Sequence, residues 1–292
     1  MMLSQLYRTI LPLQFREYIY SAFLGNVLRF KRNFPIHKKA FLTNTFGMYK
    51  NTEPYETYKF IGQHGLRSCP GNFSLKYDNL QIDVLRDSYP YVMHTGRKLY
   101  FPARFTDAQV HKLYKSLLVE QDIESAHRYS LNEEDYQDAI MFDIGAAEGI
   151  LSLEKIDILK EIYLVECEQE WVDALKITFE PYKEKVKIIF KYIDQYDSET
   201  SISLNTLGEK LKNEKIFLKM DVEGFEKNAL LGGLNLLKNN DCIAAVCTYH
   251  NPAHPQEIKE IFESVDYNPV FSKGYIHWAN RLSKALIRAK KS

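Results

Sequence analysis

The stretch Phe142–Leu153, FDIGAAEGILSL, decides the fold because the backbone preference changes within it. An apolar segment ends at Asp143, glycines follow at Gly145 and Gly149, and an apolar helical pattern resumes at Ile150. This order predicts a strand, a tight turn and a helix start. A glycine lets the main chain approach a ligand closely, and the first N–H groups of a helix lack partners within it. We therefore expect a ligand at this turn; the alternative is an ordinary strand-to-helix connection.

The acidic residues around the turn indicate which ligand it takes. The next apolar stretch, Ile162–Trp171, carries Glu166 and Glu168 about twenty residues further on, where a nucleotide ribose needs a hydrogen-bond acceptor. However, the glycines do not form G-x-G-x-x-G, and Glu148 inside the turn would repel a pyrophosphate. An acidic turn suits a ligand that carries an amino group and a cationic sulfur. These features point to S-adenosylmethionine.

A third predicted strand, Ile216–Asp221, runs directly into the helical sequence VEGFEKNALLGG. Asp221, Glu223 and Glu226 therefore crowd a strand end and the first turn of a helix. Capping and the helix dipole explain one such carboxylate. Three within six residues, at the edge where open α/β sheets bind their ligands, favour a chemical role.

A fourth apolar strand lies within Ile243–His254 and stops at Tyr249 and His250, before Pro252. His250 is the candidate base because imidazole titrates near neutral pH. His254 follows four residues later, but the intervening proline disfavours a helical pair of metal ligands, so no metal site is predicted.

In this order, the four segments give residues 121–278 a resemblance to the FkbM family of S-adenosylmethionine-dependent methyltransferases. FDIGAAEG is similar to the family's cofactor loop, and FLKMDVEGFEKNALLGG resembles its more specific signature. The resemblance implies an α/β, Rossmann-like class I methyltransferase fold with a mainly parallel seven-stranded sheet. It also implies methyl transfer to oxygen, often a hydroxyl of a sugar or a polyketide-type product.

The resemblance further implies roles for individual residues. The amino-acid part of the cofactor would lie against the turn, the ribose against Glu166 and the adenine near residues 191–195. The sulfonium would lie above Asp221, with Glu223 and His250 on the acceptor side. The implied cofactor-binding set is Asp143, Gly145, Ala146, Glu148, Gly149, Glu166, Cys167, Asp194, Gln195 and Asp221. The implied substrate-side set is Ser125, His127 and Tyr129, from the upstream segment QDIESAHRYSL, together with Glu226 and Tyr249.

Two mechanisms remain open for the acceptor proton. His250 is the favoured base, with Asp221 or Glu223 as the alternative; the carboxylates could instead hold a divalent cation that polarises a sugar diol, although none is predicted. Two other functions also remain open: a cofactor-binding protein without catalysis, and a nicotinamide-dependent oxidoreductase.

Composition and charge limit the kinds of molecule that the protein is expected to bind. Net charge is zero, but basic residues concentrate in residues 1–40 and 281–292, so the part between them is acidic. An acidic body does not suit nucleic acid, and a small molecule or glycan is the expected acceptor. The basic, aromatic N-terminal segment is typical of an interfacial helix, and core packing explains its apolar residues equally well. It has no apolar run long enough to span a bilayer.

The four cysteines show no C-x-x-C spacing and are expected to be reduced: Cys69, Cys167, Cys242 and Cys247. No signal peptide pattern is recognised, so a cytoplasmic protein is expected, with peripheral membrane contact as an alternative.

The predicted organisation has three parts. Residues 1–120 form an N-terminal extension: a basic helical segment, then a small β-rich lid or substrate platform over residues 80–105, then an amphipathic helix at Ala108–Glu120. Residues 121–280 form the methyltransferase domain. Residues 281–292 form a basic tail, interpreted as a short helix or a solvated end.

Overall fold

The computed structural model describes residues 25–291, with side chains from residue 31 onward. Two compact units divide the chain between residues 67 and 68, and residues 279–282 belong to the first unit. The sequence predicts a boundary near residue 120, whereas the main segment of the first compact unit ends at residue 67. Most of the predicted interfacial segment lies outside the described residues.

In the part of the first unit that the structure describes, two helices are present, α1 (Gly25–Phe46) and α2 (Tyr55–His64). They pack closely at Asn44, whose amide donates hydrogen bonds to the carbonyls of Tyr58 (3.3 Å) and Lys59 (3.2 Å). The predicted basic helix is present over residues 25–46. Among the described residues, every helix is too short or too polar to cross a membrane.

The second unit begins with a three-stranded antiparallel sheet and a helix. The strands are β1 (Leu85–Arg86), β2 (Pro90–His94) and β3 (Arg97–Tyr100), as the alternation over residues 80–105 predicts. Helix α3 (Asp107–Glu120) follows, and Thr106 and Gln109 form a capping box at its start. The predicted amphipathic helix is therefore confirmed, one residue longer at its N-terminus.

Seven strands form the main sheet. In chain order they are β4 (Ile140–Ile144), β5 (Glu161–Glu166), β6 (Val186–Phe190), β9 (Lys215–Met220), β10 (Asp241–Cys247), β11 (Tyr267–Phe271) and β14 (Leu286–Lys291). The spatial order is β6-β5-β4-β9-β10-β14-β11. The first five strands in this order are parallel, and β14 is antiparallel to both neighbours. The predicted mainly parallel seven-stranded sheet is confirmed.

Short helices connect the strands. They are α4 (Ile150–Glu154), α5 (Gln169–Phe179), α6 (Leu204–Leu207), α7 (Glu226–Leu231), α8 (Leu234–Asn239) and α9 (His254–Glu263). The remaining short strands are β7 (Tyr192–Ile193), β8 (Ser201–Ile202), β12 (Ile276–Trp278) and β13 (Arg281–Ser283). Successive strand residues are buried against opposite faces of the main sheet, as with Phe217 on one side and Leu218 on the other.

The interpretation of residues 281–292 as a helix or solvated end is wrong for Leu286–Lys291, which form β14 inside the main sheet. Leu286 and Ile287 are fully buried on opposite faces. The basic side chains also have partners: Arg288 donates to the carbonyl of Tyr129 at 3.1 Å, and Lys290 pairs with Asp135 at 2.6 Å. Neutralised cations therefore allow a lysine-rich segment to enter a buried sheet.

Two strand ends also differ from the sequence predictions. Strand β5 ends at Glu166, and helix α5 already includes Trp171. Strand β10 ends at Cys247, so Tyr249 and His250 lie in the connection to α9. All four cysteines are free thiols.

Candidate functional site

A cavity of about 380 Å³ lies at the carboxyl ends of β4, β5 and β9. The turn after β4, the tip of β5 and the residues following β9 form much of its wall. This is the edge at which open α/β sheets bind ligands. Nine of the residues predicted from the sequence line it: Tyr129, Asp143, Gly145, Ala146, Glu148, Glu166, Cys167, Asp221 and Glu223.

The two glycines of the turn both adopt positive φ, +74° at Gly145 and +72° at Gly149. A Cβ on Gly145 would lie 2.0 Å from the backbone oxygen of Asp221, and one on Gly149 would lie 2.8 Å from the Phe179 ring. Close approach of two strand tips therefore also requires a glycine at position 145, which lines the cavity. Gly149 permits packing against α5 and does not line the cavity.

Asp143 is held by an internal ion pair. The Lys219 ammonium lies 2.9 Å from Oδ1, and the Ser152 hydroxyl donates to Oδ2 at 2.6 Å. Lys219 also donates to the carbonyl of Gly145. Burial alone would lower the pKa of Lys219, but Asp143 and Asp221 raise it above its ordinary value. Lys219 therefore stays charged, and its contacts with Asp143 and Gly145 fix the turn to β9.

Backbone amides orient Glu166. Its Oε1 accepts from the N–H groups of Cys167 (2.7 Å) and Glu168 (2.8 Å), and its Oε2 accepts from Ala147 (2.9 Å). The carboxylate thus has a fixed position at the tip of β5. Oε2, which accepts only one of these three hydrogen bonds, can accept a further one from a ligand hydroxyl.

Hydroxyl groups surround Asp221. Tyr129 donates to Oδ2 at 3.1 Å, and Tyr249 donates to Oδ1 at 3.3 Å. The His127 Nε2 lies 3.6 Å from Oδ2. Burial would raise the pKa of Asp221, but His127 and Lys219 lower it below its ordinary value. Asp221 is therefore an ionised carboxylate on the cavity wall, in contact with three predicted substrate-side residues, of which Tyr129 also lines the cavity.

His250 lies behind the cavity wall, and its side chain is only 3% exposed. Its Nδ1 is 2.5 Å from Oε1 of the fully buried Glu226, and its Nε2 is 3.4 Å from Oε2 of Glu223 and 3.5 Å from Oδ1 of Asp221. Burial would lower the pKa of His250, but the hydrogen bond to Glu226 and the other carboxylates raise it. Glu226 also lies 3.1 Å from the His254 Nδ1. The three carboxylates around His250 therefore favour its protonated form.

Two groups of side chains place potential metal-binding atoms within 4.8 Å of one another: Asp221, Glu226 and His250, and His127, Asp221 and Cys247. Each cluster contains a polar contact between two of its own members. In the first, the short contact joins Glu226 to the ring nitrogen of His250, and in the second the Cys247 thiol lies 3.5 Å from the His127 Nε2.

Several predicted residues lie outside the cavity wall. Asp194 accepts from the Asn228 amide at 3.3 Å, and its backbone with that of Gln195 packs closely against Gly232. Ser125 accepts from the backbone N–H of His127 at 3.2 Å, within the segment upstream of β4. Of the stretch 191–195 that the resemblance places near the adenine, Lys191, Tyr192 and Ile193 line the cavity, whereas Asp194 and Gln195 do not.

Sequence reasoning missed two charged residues of the wall, Glu120 and Lys219. Each carried a signal. Glu120 ends helix α3, where the helix dipole disfavours an anion. Lys219 interrupts an otherwise apolar strand. Burial raises the pKa of Glu120 to about 8, and burial raises that of Glu148 to about 7.

Comparison with known proteins agrees with the sequence resemblance. Residues 176–269 match the family model of the Methyltransferase FkbM domain. The match confirms the resemblance for this segment and supports methyltransferase activity. The FkbM methyltransferase from Methylobacillus flagellatus KT is 15% identical, with a TM-score of 0.43; the match covers 63% of this chain and 55% of that one. The chain thus spans about half the length of that protein.

A second similar structure is precorrin-6y C5,15-methyltransferase from Geobacter metallireducens GS-15. It is 12% identical with a TM-score of 0.39, and the match covers 56% of this chain and 88% of that chain. No curated protein matches the sequence.

Proposed function

Since residues 176–269 carry a methyltransferase FkbM domain, we propose that this protein is an S-adenosylmethionine-dependent O-methyltransferase. Its acceptor is a hydroxyl of a sugar in a glycan, a glycolipid or a related natural product. The observation that carries the proposal is the ionised Asp221 carboxylate in a cavity bounded by the glycine turn. A fixed anion at this position favours a ligand with a cationic sulfur.

The cavity wall supports a placement for each part of the donor. Glu166, oriented by three backbone amides, accepts from the ribose hydroxyls. Tyr192 and Ile193 line the side assigned to the adenine. Asp221 would then hold the sulfonium end of the donor, and Glu223 and Phe225 of the cavity wall would lie on the acceptor side.

The reaction forms a carbon–oxygen bond and breaks the carbon–sulfur bond, whose electron pair returns to sulfur. The acceptor hydroxyl must lose its proton. His250, the base favoured by the sequence, lies behind the wall, and the carboxylates around it raise its pKa and favour its protonated form. We assign the proton to Glu223 instead, because Glu223 lines the cavity with a side chain that is 73% exposed, and partial desolvation together with the Asp221 carboxylate raises its pKa. His250 and Glu226 then orient Glu223 from behind.

Exposed aromatic rings near the cavity support a sugar acceptor. Phe225 and Tyr192 both line the cavity and are more than half exposed. Flat apolar faces of this kind pack against sugar rings, while neighbouring carboxylates accept from hydroxyl groups. The acidic wall also disfavours a nucleic acid acceptor, whose phosphates it would repel.

The test combines binding and turnover. We expect S-adenosylhomocysteine, and not NAD, to bind in a calorimetric titration, and a glycan panel to show a mass gain of one methyl group. Glu223→Gln should bind the ligand normally but lower kcat by about 10²–10⁴-fold. NAD binding in place of S-adenosylhomocysteine would indicate the oxidoreductase.

Each part of the proposal fails separately. Tight S-adenosylhomocysteine binding without methylation of any acceptor would favour the non-catalytic binding protein. Methylation of a nitrogen or carbon acceptor alone would overturn the O-methyltransferase. Unchanged turnover in Glu223→Gln would remove Glu223 from the proton-accepting role.

A further inference from the structure

Glu120 provides an acidic group on the cavity wall from a helix that the methyltransferase signatures do not include. It is the last residue of α3, and it lines the cavity together with Leu117 and Gln121. Its Oε1 accepts from the Ser116 hydroxyl at 3.0 Å. No Lys or Arg among the described residues forms an ion pair with it.

The cavity carries more carboxyl groups than its two lysines can neutralise. Seven line it: Glu120, Asp143, Glu148, Glu166, Glu168, Asp221 and Glu223. Lys219 is committed to Asp143, and Lys191 donates to the carbonyl of Ser198 at 3.0 Å. Both lysines are therefore already engaged within the protein. A cationic group on the ligand would therefore find carboxyl groups on the wall that no lysine occupies.

Asp143 is poorly placed to bind the donor's amino group. Its Oδ1 is paired with Lys219, and its Oδ2 accepts from Ser152. The ammonium of a methionine-type ligand therefore needs another carboxylate near the turn. Glu120 is close enough to the turn for the charge of Glu148 to act on it.

On the premise of the proposed function, we propose that Glu120 binds the α-ammonium group of the donor's amino-acid part. The carboxylate of Glu120 accepts N–H hydrogen bonds from that ammonium, opposite the turn that carries Glu148. Asp143 then has a structural role: with Lys219 it fixes the turn, and Glu120 supplies the charge recognition.

Binding of a cation by Glu120 is coupled to release of a proton. Burial and Asp221 raise its pKa to about 8, so Glu120 is largely protonated near neutral pH when no cation is bound. The groups that interact with it are all acidic or hydroxyl-bearing: Ser116, Asp221, Glu148, Cys69, Tyr129 and Tyr249. An arriving ammonium favours the ionised form. The affinity for the ligand should therefore rise with pH.

Two ligands separate the amino-acid contact from the rest of the site. S-adenosylhomocysteine carries the ammonium, whereas 5′-methylthioadenosine has the same nucleoside and thioether without it. In calorimetric titrations at pH 8, we expect Glu120→Gln to weaken the binding of S-adenosylhomocysteine by about tenfold or more. The same substitution should weaken the binding of 5′-methylthioadenosine by less than about twofold. Glu124 is an exposed acidic residue just beyond α3, so Glu124→Gln is the matched control and should change the affinity for neither ligand.

A measurement on the unmodified protein provides a second test. Titrations with S-adenosylhomocysteine in buffers of different ionisation enthalpy should show proton release near pH 7, which Glu120→Gln reduces. Equal affinity of Glu120→Gln and wild type, or equal weakening of both ligands, would overturn the role of Glu120. If the wild-type protein binds neither ligand, the proposed function itself fails. Normal binding of 5′-methylthioadenosine by the variant shows that it is folded.

Discussion

Replacing Gly145 with alanine tests how the site is built. The glycine has a φ of +74°, and its missing Cβ would lie 2.0 Å from the backbone oxygen of Asp221 and 3.1 Å from Cγ1 of Val222. Ordinary van der Waals contact begins near 3.4 Å. The tips of β4 and β9 must therefore separate by more than about 1 Å to admit a methyl group. The first obstacle is backbone, which cannot rotate away as a flexible side chain can.

The expected loss of stability has two parts. A left-handed backbone conformation costs an alanine about 1–2 kcal/mol relative to glycine. Overpacking a tight contact costs about 1–3 kcal/mol more. Gly96→Ala supplies a matched control, since Gly96 has a φ of +81° and no atom within 4 Å of its Cβ position. We expect Gly145→Ala to lower the free energy of unfolding by about 2–5 kcal/mol. Gly96→Ala should lower it by the conformational part alone, about 1–2 kcal/mol.

Urea unfolding, followed by tryptophan fluorescence and circular dichroism, measures both free energies of unfolding. Binding of S-adenosylhomocysteine to folded Gly145→Ala should also weaken, because the same displacement moves Asp221 away from the turn. Equal destabilisation by the two substitutions would refute the argument that the strand tips touch. Full ligand affinity in Gly145→Ala would show that their spacing does not control the site.

Two further predictions concern the buried charges. Lys219→Met leaves the Asp143 carboxylate buried without its cation, so the free energy of unfolding measured in urea should fall by about 3–5 kcal/mol. Adding Asp143→Asn to this variant should recover part of that loss. No recovery would contradict the ion-pair argument. The carboxylates raise the pKa of His250 in the folded state, so its ionic contribution is complete below its unfolded pKa and is lost as pH rises through the folded pKa. His250→Gln should therefore destabilise the protein more at about pH 6 than at about pH 9, and a loss independent of pH in thermal unfolding would assign the effect to packing.

The parts of the fold that follow from local sequence patterns could be predicted. The change from strand to turn to helix at Gly145 places the first parallel strand and its cavity edge, because each element depends only on neighbouring residues. Alternation over β2 and β3 and the apolar stripe of α3 are local in the same sense.

The position of β14 could not be predicted in this way. Its sequence, LIRAKK, is short and half basic, and in the sheet its apolar side chains are buried while its basic side chains contact residues distant in the chain. Asp135 pairs with Lys290 from 155 residues away in the chain, and Arg288 reaches the carbonyl of Tyr129 from 159 residues away. A local sequence pattern contains no information about such partners, so the sequence alone predicts a basic tail over residues 281–292.

The candidate site shows the same division. The positions of Asp143, Glu166 and Asp221 follow from strand ends, and all three lie on the cavity wall. Their chemical states depend on contacts made across the sheet. Lys219 neutralises Asp143, and Tyr129 donates to Asp221 from 92 residues upstream. The sequence therefore predicts which carboxylates lie together at the cavity, but it does not predict which of their oxygens are already bound by other residues of the protein.

The unequal environments of these carboxyl groups assign different tasks to them. The pKa of Asp221 is lowered by the histidine and lysine beside it, so Asp221 is a weak base and a strong partner for a cation. The pKa of Glu223 is raised, which makes its carboxylate the better proton acceptor. Two carboxylates of one loop with pKa values moved in opposite directions are the arrangement expected when one holds charge and the other moves a proton. The 3.4 Å contact from the His250 Nε2 to Glu223 joins the two tasks, because the same imidazolium lies 3.5 Å from Asp221. Removal of its charge would shift both pKa values upward together.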